Sequence, residues 1–301
     1  MCKLAVRVRI MIDGGTRLVG LIGWPVEHSL SPAMHNAAFA ELGLNWCYVP
    51  LPVAPGRLRE ALRGLVALGF AGANVTAPHK EAVMAHLDEV APGARAIGAV
   101  NTIVVREGRT FGHNTDWRGF LAALREGGFS PQGKRAVVLG AGGAARAVVY
   151  ALAHTGSEVA VLNRTPQRAE ALVRDLSPLF PSIPFIALPL NENTLREQAA
   201  VAHLLVNATP LGTWPEVDRS PWPEGLAFPG HLTVFDLVYN PPQTRLLQQA
   251  AAGGARTIGG LGMLVHQGAA AFRLWTGLEP PVETMYEACR RALGGERCCA
   301  F

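Results

Sequence analysis

The sequence predicts an α/β protein built on parallel sheets with helices on both faces. Three observations carry this. Short apolar runs alternate with helical segments of ten or more residues along most of the chain, the pattern of strands buried on both sides. The 301 residues are 49% hydrophobic and only 17% charged, enough for two domains of ordinary size with a well-buried core and unlike a disordered chain. A glycine-rich turn, Gly140-Ala141-Gly142-Gly143, stands where a strand hands over to a helix.

Leu18 to Gly23 is a short apolar run ending in glycine, a buried strand. Ser31-Pro32 opens a helix, with serine as N-cap and proline at the first helical position, running to about Leu42 and stopped by Gly43. Trp46 to Leu51 is the next strand. Pro55 to Leu68 is helical, with Leu58, Leu62, Leu65 and Val66 on one face and Gly69 ending it. Ala71 to Val75 is a third strand, and a helix is expected from around His79. A second block opens with the strand Arg135 to Leu139, the glycine turn and a helix to about His154. The strand Glu158 to Leu162 and a helix from Pro166 to Leu176 follow, then strands at Leu204 to Asn207 and Thr233 to Leu237 and a helix from Thr244 to Ala252. Helices at Leu261 to Trp275 and Val282 to Ala292 close the chain, and the proline-rich Trp214 to Pro229 reads as a loop.

Composition excludes several function classes. Net charge is +4, from 27 Lys and Arg against 23 Asp and Glu, but the arginines are scattered without a basic run, so nucleic acid is not an expected partner. A modest positive balance suits anionic small molecules. Cys2, Cys47, Cys289, Cys298 and Cys299 are odd in number and lack C-x-x-C spacing, which disfavours a disulfide framework or zinc site and makes a reducing cytoplasm the expected setting. No apolar stretch approaches the roughly 18 residues of a membrane span. Residues 1–16 are expected to form an extra arm, with Met11 as an alternative start, and Cys298-Cys299 a tail.

In Gly140-x-Gly142-x-x-Ala145, Gly140 permits the tight turn, Gly142 lets backbone approach a pyrophosphate, and Ala145 lets helix and sheet pack closely. The following helix start offers free N–H groups to phosphate, so a dinucleotide site is expected here. At the end of the next strand, where an NAD site carries Asp or Glu, this chain has Asn163-Arg164-Thr165, with Arg168 a helical turn on. Guanidinium groups without a carboxylate pair a 2′-phosphate and favour NADP(H), although Arg168 also reads as a solvated helix residue.

Only three of the basic residues are lysine, Lys3, Lys80 and Lys134. Lys80 lies in Asn74-Val75-Thr76-Ala77-Pro78-His79-Lys80 and is a side chain that can give up a proton where arginine cannot; the alternative is a surface lysine at a helix start. Ser29 and Ser31 sit at a helix entrance, a good carboxylate site; Ser31 reads also as a cap, whereas Ser29 has no evident capping duty. His28 and His35 have no companion ligands, so no metal is expected. Asn101 and Asp116 fall where strands end, and Asp116 reads either as the N-cap of a helix starting at Trp117 or as a functional carboxylate.

Taken together, Pro25-x-x-His28-Ser29-x-Ser31-Pro32-x-x-His35-Asn36, the Asn74 to Lys80 run, Ala99-Val100-Asn101-Thr102, Asn114-Thr115-Asp116, the glycine turn, Asn163-Arg164-Thr165, Asn207-Ala208-Thr209, Asp236-Leu237-Val238-Tyr239 and Gly260-x-Gly262-Met263-Leu264-x-x-Gln267 closely resemble the shikimate dehydrogenase family, in its order, from Gly23 to Trp275. The resemblance implies reversible reduction of 3-dehydroshikimate to shikimate with NADPH. It implies a substrate domain, residues 1–116 and 260–301, with a Rossmann-type NADP domain, residues 117–259, inserted and the active site in the cleft. Ser29 and Ser31 would hold the ring carboxylate; Thr76, Asn101, Asp116, Tyr239 and Gln267 would orient the ring; Lys80, paired with Asp116, would be catalytic. Gly140, Ala141, Gly142, Gly143 and Ala144 with Asn163, Arg164, Thr165 and Arg168 would hold the cofactor, and Leu237, Gly260 and Met263 its nicotinamide side. A homodimer is left open. Trp24 and Arg245 depart from the family pattern without touching the proposed chemistry. The rival readings are a quinate or aminoshikimate dehydrogenase of the same fold, a silent homologue acting as a sensor, and a folate-type dehydrogenase, which lacks the paired serines.

Overall fold

The structure is a computed structural model that describes residues 12–294. Cys2, Lys3, Met11, Cys298 and Cys299 lie outside the described residues, and with them most of the expected arm and tail. The first half of the chain forms β1 (Arg17–Gly23), α1 (Ser31–Glu41), β2 (Trp46–Pro52), α2 (Leu58–Ala67), β3 (Gly72–Val75), β4 (Glu89–Val90), α3 (Pro92–Ile97), β5 (Thr102–Arg106) and β6 (Arg109–His113). Their sheet has the order β2-β1-β3-β5-β6-β4. β1 pairs in parallel with both β2 and β3, as the apolar runs predict, but β5 and β6 form an antiparallel hairpin on its far side. The hairpin turns at Glu107 and Gly108, both at positive φ (51° and 72°), as a two-residue hairpin loop requires.

The chain then crosses through α4 (Asp116–Glu126) to a second six-stranded sheet, β7 (Arg135–Leu139), β8 (Glu158–Asn163), β9 (Phe185–Pro189), β10 (Leu204–Asn207), β11 (Thr233–Asp236) and β12 (Arg256–Ile258). It is parallel throughout, in the order β12-β11-β10-β7-β8-β9. α5 (Gly143–His154), α6 (Pro166–Leu176), α7 (Glu192–Val201) and α8 (Arg245–Ala252) are its connecting helices, and apolar clusters bury both of its faces. This is the doubly wound, Rossmann-type arrangement.

α9 (Leu261–Thr276) carries the chain back, packed alongside α4, and α10 (Val282–Leu293) lies against α1. Val265, Phe272 and Trp275 of α9 share one buried cluster with Val19 of β1 and Phe39 of α1, and the Trp275 indole N–H donates to the Ile103 carbonyl at 2.9 Å. Among the described residues no helix is long and apolar enough to cross a membrane.

Two local expectations are corrected. No regular helix begins at His79. The Lys80 carbonyl accepts the Val100 N–H at 2.8 Å, and the Met84 N–H that an α-helix would send to it goes to the Glu81 carbonyl at 3.4 Å, so the chain turns and makes only a short 3₁₀ segment, Ala82–His86. Ser31 is not a side-chain cap but the first residue of α1, after Leu30; the Ser29 hydroxyl accepts the Ser31 N–H at 3.2 Å, the local duty the sequence did not reveal.

Candidate active site

Each sheet reverses its strand order beside a central strand, β1 in one and β7 in the other. Crevices open at the carboxyl ends of parallel strands at such points, and here both open onto one cleft. Its cavity, of about 600 Å³, is lined by Ser29, Ser31, Thr76, Lys80, Asn101, Asp116, Tyr239 and Gln267, with Ala144, Leu237, Gly260 and Met263 on the side of the second sheet. Every residue expected at the substrate is therefore brought together, although they span positions 29 to 267. Trp24 and Trp214, 48% and 56% exposed, also line it.

The turn after β3 presents Lys80. His79 beneath it is buried and bonded through its ring to the Val53 carbonyl at 2.7 Å, which fixes the turn against the core. The Lys80 ammonium donates to Asp116 Oδ2 at 2.6 Å, with only 17% and 5% of the two side chains exposed. An ammonium has three protons, so this pair leaves two for a ligand oxygen.

Asp116 is the first residue of α4, where the helix dipole favours a carboxylate, but it does not cap. The neighbouring turn is held instead by the side chains of Asn114, whose Oδ1 accepts the Asp116 N–H at 3.0 Å, and of Asn101, whose Oδ1 accepts the Thr115 N–H at 2.7 Å. That leaves both Asp116 oxygens free to face Lys80 and the Asn101 amide, which donates to Oδ1 at 2.8 Å. The same amide nitrogen lies 2.9 Å from Thr115 Oγ1 and 3.2 Å from Gln267 Oε1, so Asn101 joins β5, α4 and α9.

Behind Asn101 runs a buried relay: the Tyr48 hydroxyl donates to Asn74 Oδ1 at 2.9 Å, and the Asn74 amide reaches Thr102 Oγ1 and the Asn101 carbonyl, both at 3.1 Å. Sequence reasoning assigned no part to Tyr48, Thr102 or Thr115. The Asn74 and Asn101-Thr102 motifs flank the strands that carry this relay, but nothing in the sequence pairs them. Burial pushes the Tyr48 and Tyr239 phenols above their ordinary range, so both hydroxyls stay neutral donors.

On the side of the second sheet, Gly140 has φ +109° at the end of β7, and a Cβ there would meet the Ala208 carbonyl oxygen at 3.0 Å. A Cβ at Gly142 would meet nothing within 4 Å, and no side chain caps α5. Open space above an uncapped helix start fits a pyrophosphate, so the residues present fit a nicotinamide dinucleotide. A Cβ at Gly143 would meet Lys80 Cβ at 2.7 Å, so the glycine turn also touches the lysine.

Asn163, Arg164, Thr165 and Arg168 do not line the cavity; they lie at the end of β8 and start of α6, with Arg164, Thr165 and Arg168 exposed. Arg168 Nη2 is 3.7 Å from Glu81 Oε1, whereas Arg164 pairs with no carboxylate among the described residues. Asp236, at the end of β11, accepts from Asn207, Thr244 and the Val238 N–H at 2.9, 2.6 and 3.0 Å and so anchors the segment leading to Leu237 and Tyr239; burial lifts its carboxyl to about 6. No group of three His, Cys, Asp or Glu side chains that could hold a metal occurs among the described residues.

A Rossmann-type sheet facing a polar pocket with one ion-paired lysine defines the class: a nicotinamide-dependent oxidoreductase with its site between two sheets. Three family models match in chain order, the shikimate dehydrogenase substrate binding domain over residues 21–103, shikimate / quinate 5-dehydrogenase over 122–210, and the shikimate 5′-dehydrogenase C-terminal domain over 260–290. The chain is 52% identical to the NADP(+) shikimate dehydrogenase of Moorella thermoacetica over 95% of its length and 96% of the relative's. It is 52% identical to that of Methanopyrus kandleri over 93% and 97%. The crystal structure of shikimate 5-dehydrogenase from Thermus thermophilus in complex with NADP(H) and shikimate superposes with a TM-score of 0.82 at 48% identity, covering 92% of this chain and all of that one. The chain belongs to the shikimate dehydrogenase family.

Proposed function

We propose that this chain catalyses the reversible, NADP-linked interconversion of shikimate and 3-dehydroshikimate in the cytoplasm, as a step of aromatic amino-acid biosynthesis. Residues 1–116 and 260–301 hold the substrate and residues 117–259 the cofactor. The observation that carries this reading is the Lys80–Asp116 pair, 2.6 Å apart, in a cavity walled by Ser29 and Ser31 on one side and by the uncapped start of α5 on the other.

Ser29 and Ser31 offer hydroxyls, beside the N-terminus of α1, to the ring carboxylate. Thr76, Asn101, Tyr239 and Gln267 orient the ring through its hydroxyls, and Leu237, Gly260 and Met263 shape the wall where the ring meets the nicotinamide. The cofactor supplies or accepts a hydride when bound. Gly140, Ala141, Gly142, Gly143 and Ala144 would hold its pyrophosphate. Arg164, with Asn163, Thr165 and Arg168, would hold the 2′-phosphate.

A ketone that accepts hydride develops negative charge on oxygen, and the Lys80 ammonium meets that charge and hands over a proton. In the reverse direction Lys80 takes the hydroxyl proton as hydride leaves the carbon. Asp116 orients the amine, and the Asn101 amide holds Asp116.

Shikimate oxidation followed by reduced-nicotinamide absorbance, with NADP+ and NAD+ side by side and quinate as the competing alcohol, tests the reading. It expects kcat/KM highest for shikimate with NADP+. Preference for quinate, or for NAD+, would replace it with the quinate alternative, and no turnover of either alcohol would leave a silent homologue.

A further inference from the structure

Lys80 and Glu81 are adjacent but face opposite ways. The Lys80 ammonium is turned inward onto Asp116, whereas Glu81, its side chain 44% exposed, reaches across the cleft to Arg168 in the first turn of α6, with 3.7 Å between Oε1 and Nη2. The carboxylate therefore stands against one of the two guanidiniums that the NADP reading assigns to the 2′-phosphate, while Arg164 has no carboxylate partner among the described residues. Two anions cannot share one exposed guanidinium at full strength: a phosphate carrying close to two negative charges would draw Arg168 off Glu81 and still feel the carboxylate nearby.

We propose that Glu81 is a specificity-determining residue, a carboxylate that competes with the cofactor's 2′-phosphate for Arg168 and so lowers the preference for NADP over NAD. The inference rests on the NADP assignment made above. The pair is loose and solvated, with the Arg168 side chain 59% exposed, so its removal is worth about two- to fivefold in affinity. The effect is confined to ligands that carry the 2′-phosphate.

Calorimetric titration of the full chain with adenosine 2′,5′-bisphosphate and with AMP tests this without turnover. In wild type the bisphosphate is expected to bind more tightly than AMP. Glu81→Gln is expected to tighten the bisphosphate about two- to fivefold and leave AMP unchanged, with the gain fading towards roughly 1 M NaCl. In an Arg168→Ala background the gain is expected to shrink, since only the direct repulsion between carboxylate and phosphate is left to relieve; a gain as large as in wild type overturns the competition for Arg168. An unchanged or weakened bisphosphate affinity in Glu81→Gln, or equal tightening of both ligands, overturns the inference while leaving the cofactor reading intact. A wild type that binds the two ligands equally overturns the cofactor reading, and this inference with it.

Discussion

Lys80 shows how much one side chain's surroundings decide. Arginine at this position would keep the charge but could not move a proton, and its planar fork would not sit on a single carboxylate oxygen as an ammonium does. His35 is the opposite case, a titratable ring from which the fold removes titration. It is fully buried, stacks at 4.5 Å on Tyr48, and neither ring nitrogen has a hydrogen-bond partner among the described residues. Burial depresses its pKa to about 3, so it packs as a neutral ring among Tyr48, Phe272 and Trp275. Its folded pKa lies below the unfolded value, so its contribution to stability is present above about pH 6.5 and is lost as pH falls towards 3. Asp236 acts in the other sense: its folded pKa, about 6, is raised, so the folded state gains relative stability below that pH and loses it as pH rises through 6. Between pH 6 and 4 the two effects oppose. His35→Phe, which keeps a ring in the stack, is therefore expected to lose less stability than wild type between pH 6.5 and 4.5, by up to about one proton in the slope of unfolding free energy. Urea midpoints at the two pH values measure this, and parallel shifts in the two proteins would contradict it.

At the scale of elements, the α5 start and the turn after β3 have to be considered as one unit. Gly143 is the first residue of α5, and a Cβ there would lie 2.7 Å from Lys80 Cβ and 3.3 Å from its Cδ. Alanine is an excellent helix residue, so Gly143→Ala removes no helical stability. It pushes on the lysine instead, and a displacement of the order of 1 Å at a reacting group costs up to about a hundredfold in rate. The atom met first is the root of the lysine side chain, so backbone has to give: the variant is expected to lose about 1–3 kcal/mol of stability, while kcat falls about ten- to a hundredfold. A melting temperature and a kcat both unchanged from wild type would contradict the contact. Elements also mark where the sequence was legible. β7, α5, β8 and α6 follow directly from an apolar run, a glycine turn and a Pro166 helix start, because each signal is local. The β5–β6 hairpin has no Asn-Gly or Asp-Gly at its turn, only Glu107-Gly108, and α3 has six residues, too few for helical periodicity to register. β9 is an edge strand with no fully buried residue; its apolar run, Phe185 to Leu188, is bracketed by Pro184 and Pro189, which an edge strand tolerates but which argue against a strand in the sequence.

For the whole molecule, the chain passes between its sheets through α4 and returns through α9, and the site is assembled where those two helices lie together. That is why Asp116 at one passage and Gln267 at the other meet on Asn101. That Ser29, Lys80, Asp116 and Gln267 belong together was legible because the family motifs name them, and they do line one cavity; their mutual support was not legible. The relay from Tyr48 through Asn74 and Thr102 to Asn101 joins positions 48 to 102 through tertiary pairing of strands, which no spacing in the sequence encodes. The Glu81–Arg168 pair is invisible for the same reason, since it depends on how one sheet faces the other. Steady-state kinetics of NADP-linked shikimate oxidation by Lys80→Ala, with Lys80→Arg beside it, tests most directly whether one amine serves the reacting oxygen. The account predicts that kcat falls by about 10²–10⁴ in both variants while the shikimate KM changes little. A kcat that holds while KM rises would make Lys80 a binding residue and contradict it.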